Sequence, residues 1–234
     1  MLSFLLLFIL QTQAASDPQA HLLKAQERLK KRDFEGTTKE LNHLMREHKR
    51  APESVQAKII MADMLYQKQE WDAARIYYQQ FLKDHPSHPE TDYVSYMIGM
   101  THYKMAPSLP DRDQRRTEEA IRIWSQFLKR YPQSEHREEV EKKMVESRER
   151  MAKKELLIAE FYARRQAWES VRRRTEGLLV QYPGSKYTPK ALQLNTLAYF
   201  LLGDLEIAQQ KRDALSKIAP KLIPQLEKRI AKGK

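Results

Sequence analysis

The chain contains no cysteine, which removes disulfides, thiolate nucleophiles and thiolate metal sites together. Glycine is scarce, six in 234 residues, and none belongs to a Gly-rich phosphate loop or to the strained turn that presents a hydrolase serine. No apolar run approaches the ~20 residues needed to span a bilayer; the longest at the N-terminus is Leu2 to Leu10. The histidines do not form a metal-ligand pattern. His85 and His88 lie in a Pro-bounded turn rather than at i, i+4 on a helix, and no third ligand follows nearby. Carboxylates are numerous, but they sit among Lys and Arg at helical spacing and read as surface pairs. Nothing here argues for catalysis, and no cofactor is called for.

What the chain has in excess is positive charge: 42 Lys plus Arg against 31 Asp plus Glu, a net +11. That balance suits an acidic partner or an anionic surface, and it raises RNA binding as a rival reading. The excess is scattered among acids along the helices, the pattern of solvated faces rather than of clustered phosphate contacts. The N-terminal MLSFLLLFILQTQAAS has an apolar stretch followed by small residues suited to cleavage near Ala14 or Ala15. It fits a secretory signal peptide over residues 1–15, although no Lys or Arg precedes the apolar stretch. The other reading is a misassigned start or the hydrophobic first turn of a cytoplasmic helix.

A unit recurs along the chain. An aromatic opens a helix and a Pro-containing turn closes it fifteen residues on, as from Trp71 to Pro86 and from Trp168 to Pro183; Thr117 to Pro132 keeps the same frame. Three residues after each opening position come Ala74, Ala120 and Val171, with Ala208 three after Leu205, small enough for paired helices to approach closely. The periodicity predicts helices over 18–32, 34–48, 54–69, 70–84, 91–105, 114–131, 135–165, 167–182, 188–202, 204–217 and 221–232. The expected fold is all-α: a solenoid like the tetratricopeptide (TPR) repeats, of about five helix pairs, with a long connecting helix at 135–165 and a C-terminal capping helix. The expected organisation is N-terminal repeats over 16–106, a loop and the second helix of the third repeat over 107–134, and C-terminal repeats over 135–234. Stacked repeats make binding surfaces, so the class implied is a scaffold.

Within that frame, HPSHPETDYVSYMIGMTHYK, PDRD and AIRIWSQFLKRYPQSEH, followed by KKELLIAEFYARRQAWESVRRRTEGLLVQYPGSKYTPKAL, resemble the BamD/ComL family of TPR-type outer-membrane β-barrel assembly factors. The run HPxxDYVxYMxGxT carries most of the specificity. The resemblance is strongest from Pro86 to Leu192. It implies a non-catalytic, exported scaffold at the periplasmic face of the outer membrane and peripheral to it. It implies that the C-terminal repeats bind the POTRA domains of the barrel-forming subunit, and that the N-terminal repeats meet accessory assembly lipoproteins and unfolded outer-membrane proteins. Nucleic acid is not an expected partner. Two departures stand out: family members carry an acylated Cys after the leader and this sequence has none, and the loop at 106–113 is shorter. The alternative role is a periplasmic TPR adaptor of another envelope complex.

Two groups of residues are candidates for those contacts. Arg164, Arg165, Arg172, Arg173 and Arg174 crowd one stretch where only Glu169 opposes them, and guanidinium groups pair carboxylates bidentately. The resemblance places the Arg174-Thr175-Glu176-Gly177 stretch in the C-terminal half that contacts a POTRA domain, so Arg164, Arg165, Arg173, Arg174 and Glu176 are the candidate contacts to the POTRA-bearing subunit, against the plainer reading of a solvated basic face. Among the tyrosines, Tyr66, Tyr93 and Tyr96 are candidates for a groove that accepts extended peptide, whereas Tyr78, on the Trp71 stripe, reads as core.

Overall fold

A computed structural model describes residues 17–232; the proposed signal peptide at 1–15 lies outside the described residues. All regular secondary structure of the described chain is helical. The helices are α1 (Pro18–Lys30), α2 (Phe34–Glu47), α3 (Pro52–Gln67), α4 (Trp71–Asp84), α5 (Thr91–Met105), α6 (Arg115–Arg130), α7 (Arg137–Arg164), α8 (Trp168–Gln181), α9 (Thr188–Leu202) and α10 (Leu205–Ile218). A 3₁₀ turn, Pro220–Leu222, leads into α11 (Ile223–Lys232). Every helix expected from the periodicity is present. The one difference in kind is at the end, where Pro220 diverts the first residues of the closing helix into the 3₁₀ turn.

The pairing rests on two backbone turns that repeat with the same hydrogen bonds. Within four of the pairs, the first helix ends on a residue in the left-handed region: Arg32 (φ 58°), Gln69 (φ 64°), Gln166 (φ 58°) and Gly203 (φ 91°). Each lies two residues before the residue that opens the second helix. In each, the N–H of the following residue reaches back five positions, as from Asp33 to Arg28, Glu70 to Leu65, Ala167 to Tyr162 and Asp204 to Tyr199. This is the Schellman ending of a helix. Between pairs, the turn carries the proline. There the N–H of His88 bonds the carbonyl of His85, that of Ser134 bonds Tyr131, and that of Ser185 bonds Tyr182. The side chain at that position then accepts the N–H two residues on: His88 Nδ1 from Glu90, Ser134 Oγ from His136, Ser185 Oγ from Tyr187. The same frame extends to Leu205 and Pro220, a copy the aromatic pattern alone does not mark.

The described residues fall into two compact units, one of 17–105 together with 122–137, the other of 106–121 together with 138–232. In the first, the apolar stripes of α1 and α2 close on α3: Leu22, Ala25, Leu29, Leu41, Leu44, Ala57, Ile60 and Met64 form one core cluster. Burying each of the leucine, isoleucine and methionine side chains contributes about 1.5–3 kcal/mol, which is what holds short helices together in water. Further along, Trp124 is fully buried and lies on Gly99 of α5, where even a Cβ would collide with the indole ring. Its Nε1 donates to the carbonyl of Tyr96 at 3.3 Å. In the second unit, Ala152, Leu156 and Ala159 of α7 pack with Val171 and Leu178 of α8 and with Ala191, Leu194 and Ala198 of α9. Leu192, Leu197, Leu215 and Leu226 continue that core into α10 and α11. The short positions of the repeat, Ala74, Ala120, Val171 and Ala208, are all buried. The loop before α6 is fastened by Gln114, which is wholly buried and donates to the carbonyl of Leu109 at 2.8 Å, and by Arg150, which donates to that of Pro107 at 3.1 Å.

Candidate partner-binding surfaces

The arginine-rich stretch lies on α8 because its other side is needed inside. Val171, Thr175 and Leu178, at i, i+4 and i+7, are buried in the second unit's core, so Arg172, Arg173 and Arg174 are turned outward. They do not form one equivalent cluster. Arg172 pairs with Glu169 and stands 3.7 Å from Glu176. The hydroxyl of Tyr199, on α9, donates to the same Glu176 carboxylate. Hydrogen bonds to Glu169 and Tyr199 hold the Arg172 guanidinium even more firmly protonated than usual, and the pairing keeps the Glu169 carboxyl below its ordinary range. Arg172 and Glu176 therefore knit α8 to α9. Arg174 reaches Glu155 on α7 at 3.2 Å.

That leaves Arg164, Arg165 and Arg173 exposed, with no salt bridge to a carboxylate among the described residues. Arg165, just beyond the end of α7, lies over the ring of Phe161, 3.6 Å from its centroid, an exposed cation–π stack. The sequence count of one opposing acid missed Glu155 and undercounted Glu176. Only their helical positions bring these carboxylates to the arginines, and Glu155 is nineteen residues from Arg174.

The tyrosines of the first unit gather around a carboxylate that the sequence pattern did not single out. Asp63, on α3, accepts hydrogen bonds on one oxygen from both Tyr78 of α4 and Tyr93 of α5, the latter at 2.8 Å. Burial pushes the Asp63 carboxyl up from its usual value, helped by nearby Glu90; the two hydroxyls act the other way without cancelling it. Burial and the Asp63 charge drive both tyrosine hydroxyls far above the usual phenol range. Tyr78 is wholly buried. Tyr96 is 8% exposed and stacks on His136 with centroids 4.7 Å apart; Tyr93 is 6.4 Å from Tyr96. Tyr66, in the last turn of α3, and Tyr93 keep part of their surface in solvent. A lone Asp inside the apolar run IIMADMLY was the available signal for this centre, since an acid there needs donors to be tolerated.

His85 and His88 serve the turn. His85 Nε2 stands 3.1 Å from Lys58 Nζ, and burial together with the Lys58 charge keeps this imidazole below its ordinary pKa. Both rings pack on Phe81. Among the described residues no group of three His, Asp or Glu is placed to hold a metal ion. None of the helices of those residues is long and apolar enough to cross a membrane.

Consecutive helix pairs joined by repeating turns define a helical-repeat protein. A family model described as outer membrane lipoprotein, YfiO, matches residues 14–215, and the chain belongs to that family. Relatives named outer membrane protein assembly factor BamD include one from Vibrio cholerae, 31% identical over 134 residues, which are 53% of this chain and 56% of the relative. Another, from Xylella fastidiosa strain 9a5c, is 27% identical over 213 residues, 87% of this chain and 73% of the relative. A third, from Haemophilus influenzae, is 28% identical over 200 residues, 80% and 76% of the two chains. The match thus spans from about half to about three quarters of these relatives' length. A thermophilic TPR protein of Thermus thermophilus aligns over 93% of this chain and 98% of its own, at 13% identity and a TM-score of 0.39, too loose to bear on the fold.

Proposed function

We propose that this chain is a non-catalytic scaffold subunit of the outer-membrane β-barrel assembly machine, acting at the periplasmic face of the outer membrane. The observation that carries this reading is family membership over residues 14–215, together with relatives named outer membrane protein assembly factor. In this role the second unit holds the POTRA-bearing barrel subunit through the outward face of α8 and the end of α7. Arg164, Arg165 and Arg173 suit it because no described carboxylate forms a salt bridge with them. Arg174 can exchange its Glu155 partner for one on the POTRA domain, and Glu176 steadies the face from within.

The first unit receives unfolded outer-membrane protein segments or accessory lipoproteins. Tyr66 and Tyr93 offer the aromatic edges and Tyr96 supports them from beneath. Scaffolding needs rigid, preorganised anchors rather than titrating groups, and arginines and aromatics carry most of the affinity at such interfaces. The test is binding of the purified chain to the POTRA region of the barrel subunit, with Arg173→Glu and Arg174→Glu combined. Charge reversal is expected to weaken binding at least tenfold, ~1.4 kcal/mol or more, with the helical circular dichroism unchanged. Unaltered affinity would remove this face from the interface.

A further inference from the structure

Four of the five glycines of the described residues have a structural reason to be glycine. Gly36 faces the Asp33 carboxylate and the Arg28 guanidinium so closely that a Cβ would strike both, and Gly99 lies under Trp124. Gly184 (φ 78°) and Gly203 (φ 91°) occupy the left-handed region that side chains avoid. Gly177 has neither reason. It stands inside α8, and a Cβ built on it meets nothing within 4 Å. A glycine in a helix interior is destabilising relative to alanine, so the fold of this chain would be better served by alanine there.

The surroundings of Gly177 are equally unlike a surface shaped only by solvent. Arg173, Arg174 and Gln181, with Glu155 from α7, frame a notch of about 310 Å³ at the glycine. One turn on, Val180 is 78% exposed, the most exposed large apolar side chain among the described residues. Arg173, Gly177 and Val180 fall at i, i+4 and i+7, one stripe of α8 opposite Val171, Thr175 and Leu178. The stripe therefore offers a cation without an ion pair, a bare stretch of helix backbone and an apolar contact in a row.

We infer that Gly177 is a close-approach point for the main chain of an extended, acidic partner segment. Such a segment lays its backbone against α8 at the notch, sets a carboxylate on Arg173 and packs an apolar side chain on Val180. The charge of the stripe selects an acidic segment. Within the function proposed above, on which this inference rests, the occupant belongs to the POTRA-bearing subunit. Gly177 then determines how near that subunit's backbone comes, which arginine charge alone does not fix.

Gly177→Ala separates the two demands on the residue. The substitution is measured in the full chain by urea unfolding and by calorimetric titration with the purified POTRA region, alongside Val180→Ala. Gly177→Ala is expected to raise the urea midpoint, because alanine favours the helix, while weakening binding about tenfold or more, because a methyl group fills the approach. Val180→Ala is expected to weaken binding several-fold with the midpoint nearly unchanged. A Gly177→Ala chain that binds the POTRA region as tightly as the parent overturns the inference and leaves the partner assignment standing. A parent chain that does not bind the POTRA region overturns the assignment beneath it. A lowered midpoint on Gly177→Ala overturns the premise that the site is open.

Discussion

Gly99→Ala is the sharpest perturbation of the first unit, because the same change that helps a helix elsewhere has no room here. On propensity alone alanine in the interior of α5 contributes about 1 kcal/mol of stability. Against that, the added Cβ lies where the Trp124 indole now sits, in contact with Nε1 and two ring carbons. Trp124 is fully buried and hydrogen-bonded to the Tyr96 carbonyl, so it has no spare rotamer to retreat into. Overpacking of a closed core costs about 1–3 kcal/mol, and displacing the indole also forfeits a buried hydrogen bond, about 1 kcal/mol more. The helix gain offsets only part of this, leaving a net loss of about 2 kcal/mol. For a chain of this length that is a fall in Tm of roughly 4–8 °C.

Thermal unfolding followed by circular dichroism measures it. Tryptophan emission supplies a second readout, expected to shift to the red as Trp124 gains water. Trp124→Phe, smaller in volume, should recover part of the loss when combined with Gly99→Ala, giving a favourable coupling of ~1 kcal/mol in the double-mutant cycle. An unchanged or raised Tm for Gly99→Ala alone would refute the claim that Trp124 is seated on this glycine.

The pH dependence of stability should set Asp63 apart from the surface acids. Because burial raises its pKa in the folded state above the ordinary 3.8, the folded chain holds that proton more tightly than the unfolded one. Its stabilising share is then complete below the ordinary value and fades as pH rises through the folded one. Stability relative to Asp63→Asn should accordingly fall as pH is raised above the ordinary carboxylate value of 3.8, and a difference in urea midpoint that stays flat as pH rises would contradict the assignment. Gln69→Gly and Gln166→Gly relieve left-handed residues and should each add about 0.5–1 kcal/mol, whereas Gly203→Ala should cost about 1–2 kcal/mol; equal signs in chemical denaturation would refute the shared turn. Tyr78→Phe strips a buried donor from the Asp63 carboxylate and should destabilise by about 1.5–3 kcal/mol. Tyr93→Phe, whose ring is partly solvated, should cost less, and the reverse order in urea unfolding would contradict the arrangement.

The helices were legible because their apolar stripes recur at helical spacing and prolines close most of the pairs. What the sequence hid were contacts made by residues with no mark of their own. Arg32, Gln69 and Gln166 occupy left-handed turns that glycine usually signals, so the intra-pair turn showed itself only at Gly203. Asp63 is fifteen residues from Tyr78 and thirty from Tyr93. That separation becomes contact only once three consecutive helices pack. The arginines on α8 looked like one cationic block in one dimension. In three dimensions Arg172 and Arg174 are drawn into internal pairs, and the cations left outside such pairs reduce to Arg164, Arg165 and Arg173. Gly99 was visible within a family motif, yet its physical reason, the indole above it, comes from a helix that begins only after the loop at 106–114.

The scaffold assignment is tested most directly by purifying the native protein from gently solubilised envelopes and identifying its companions by mass spectrometry. The account predicts stoichiometric recovery of a POTRA-bearing outer-membrane barrel protein, lost when Arg173 and Arg174 are reversed to glutamate. Reproducible recovery of cell-wall or other envelope proteins instead, with no POTRA-bearing subunit, would contradict it.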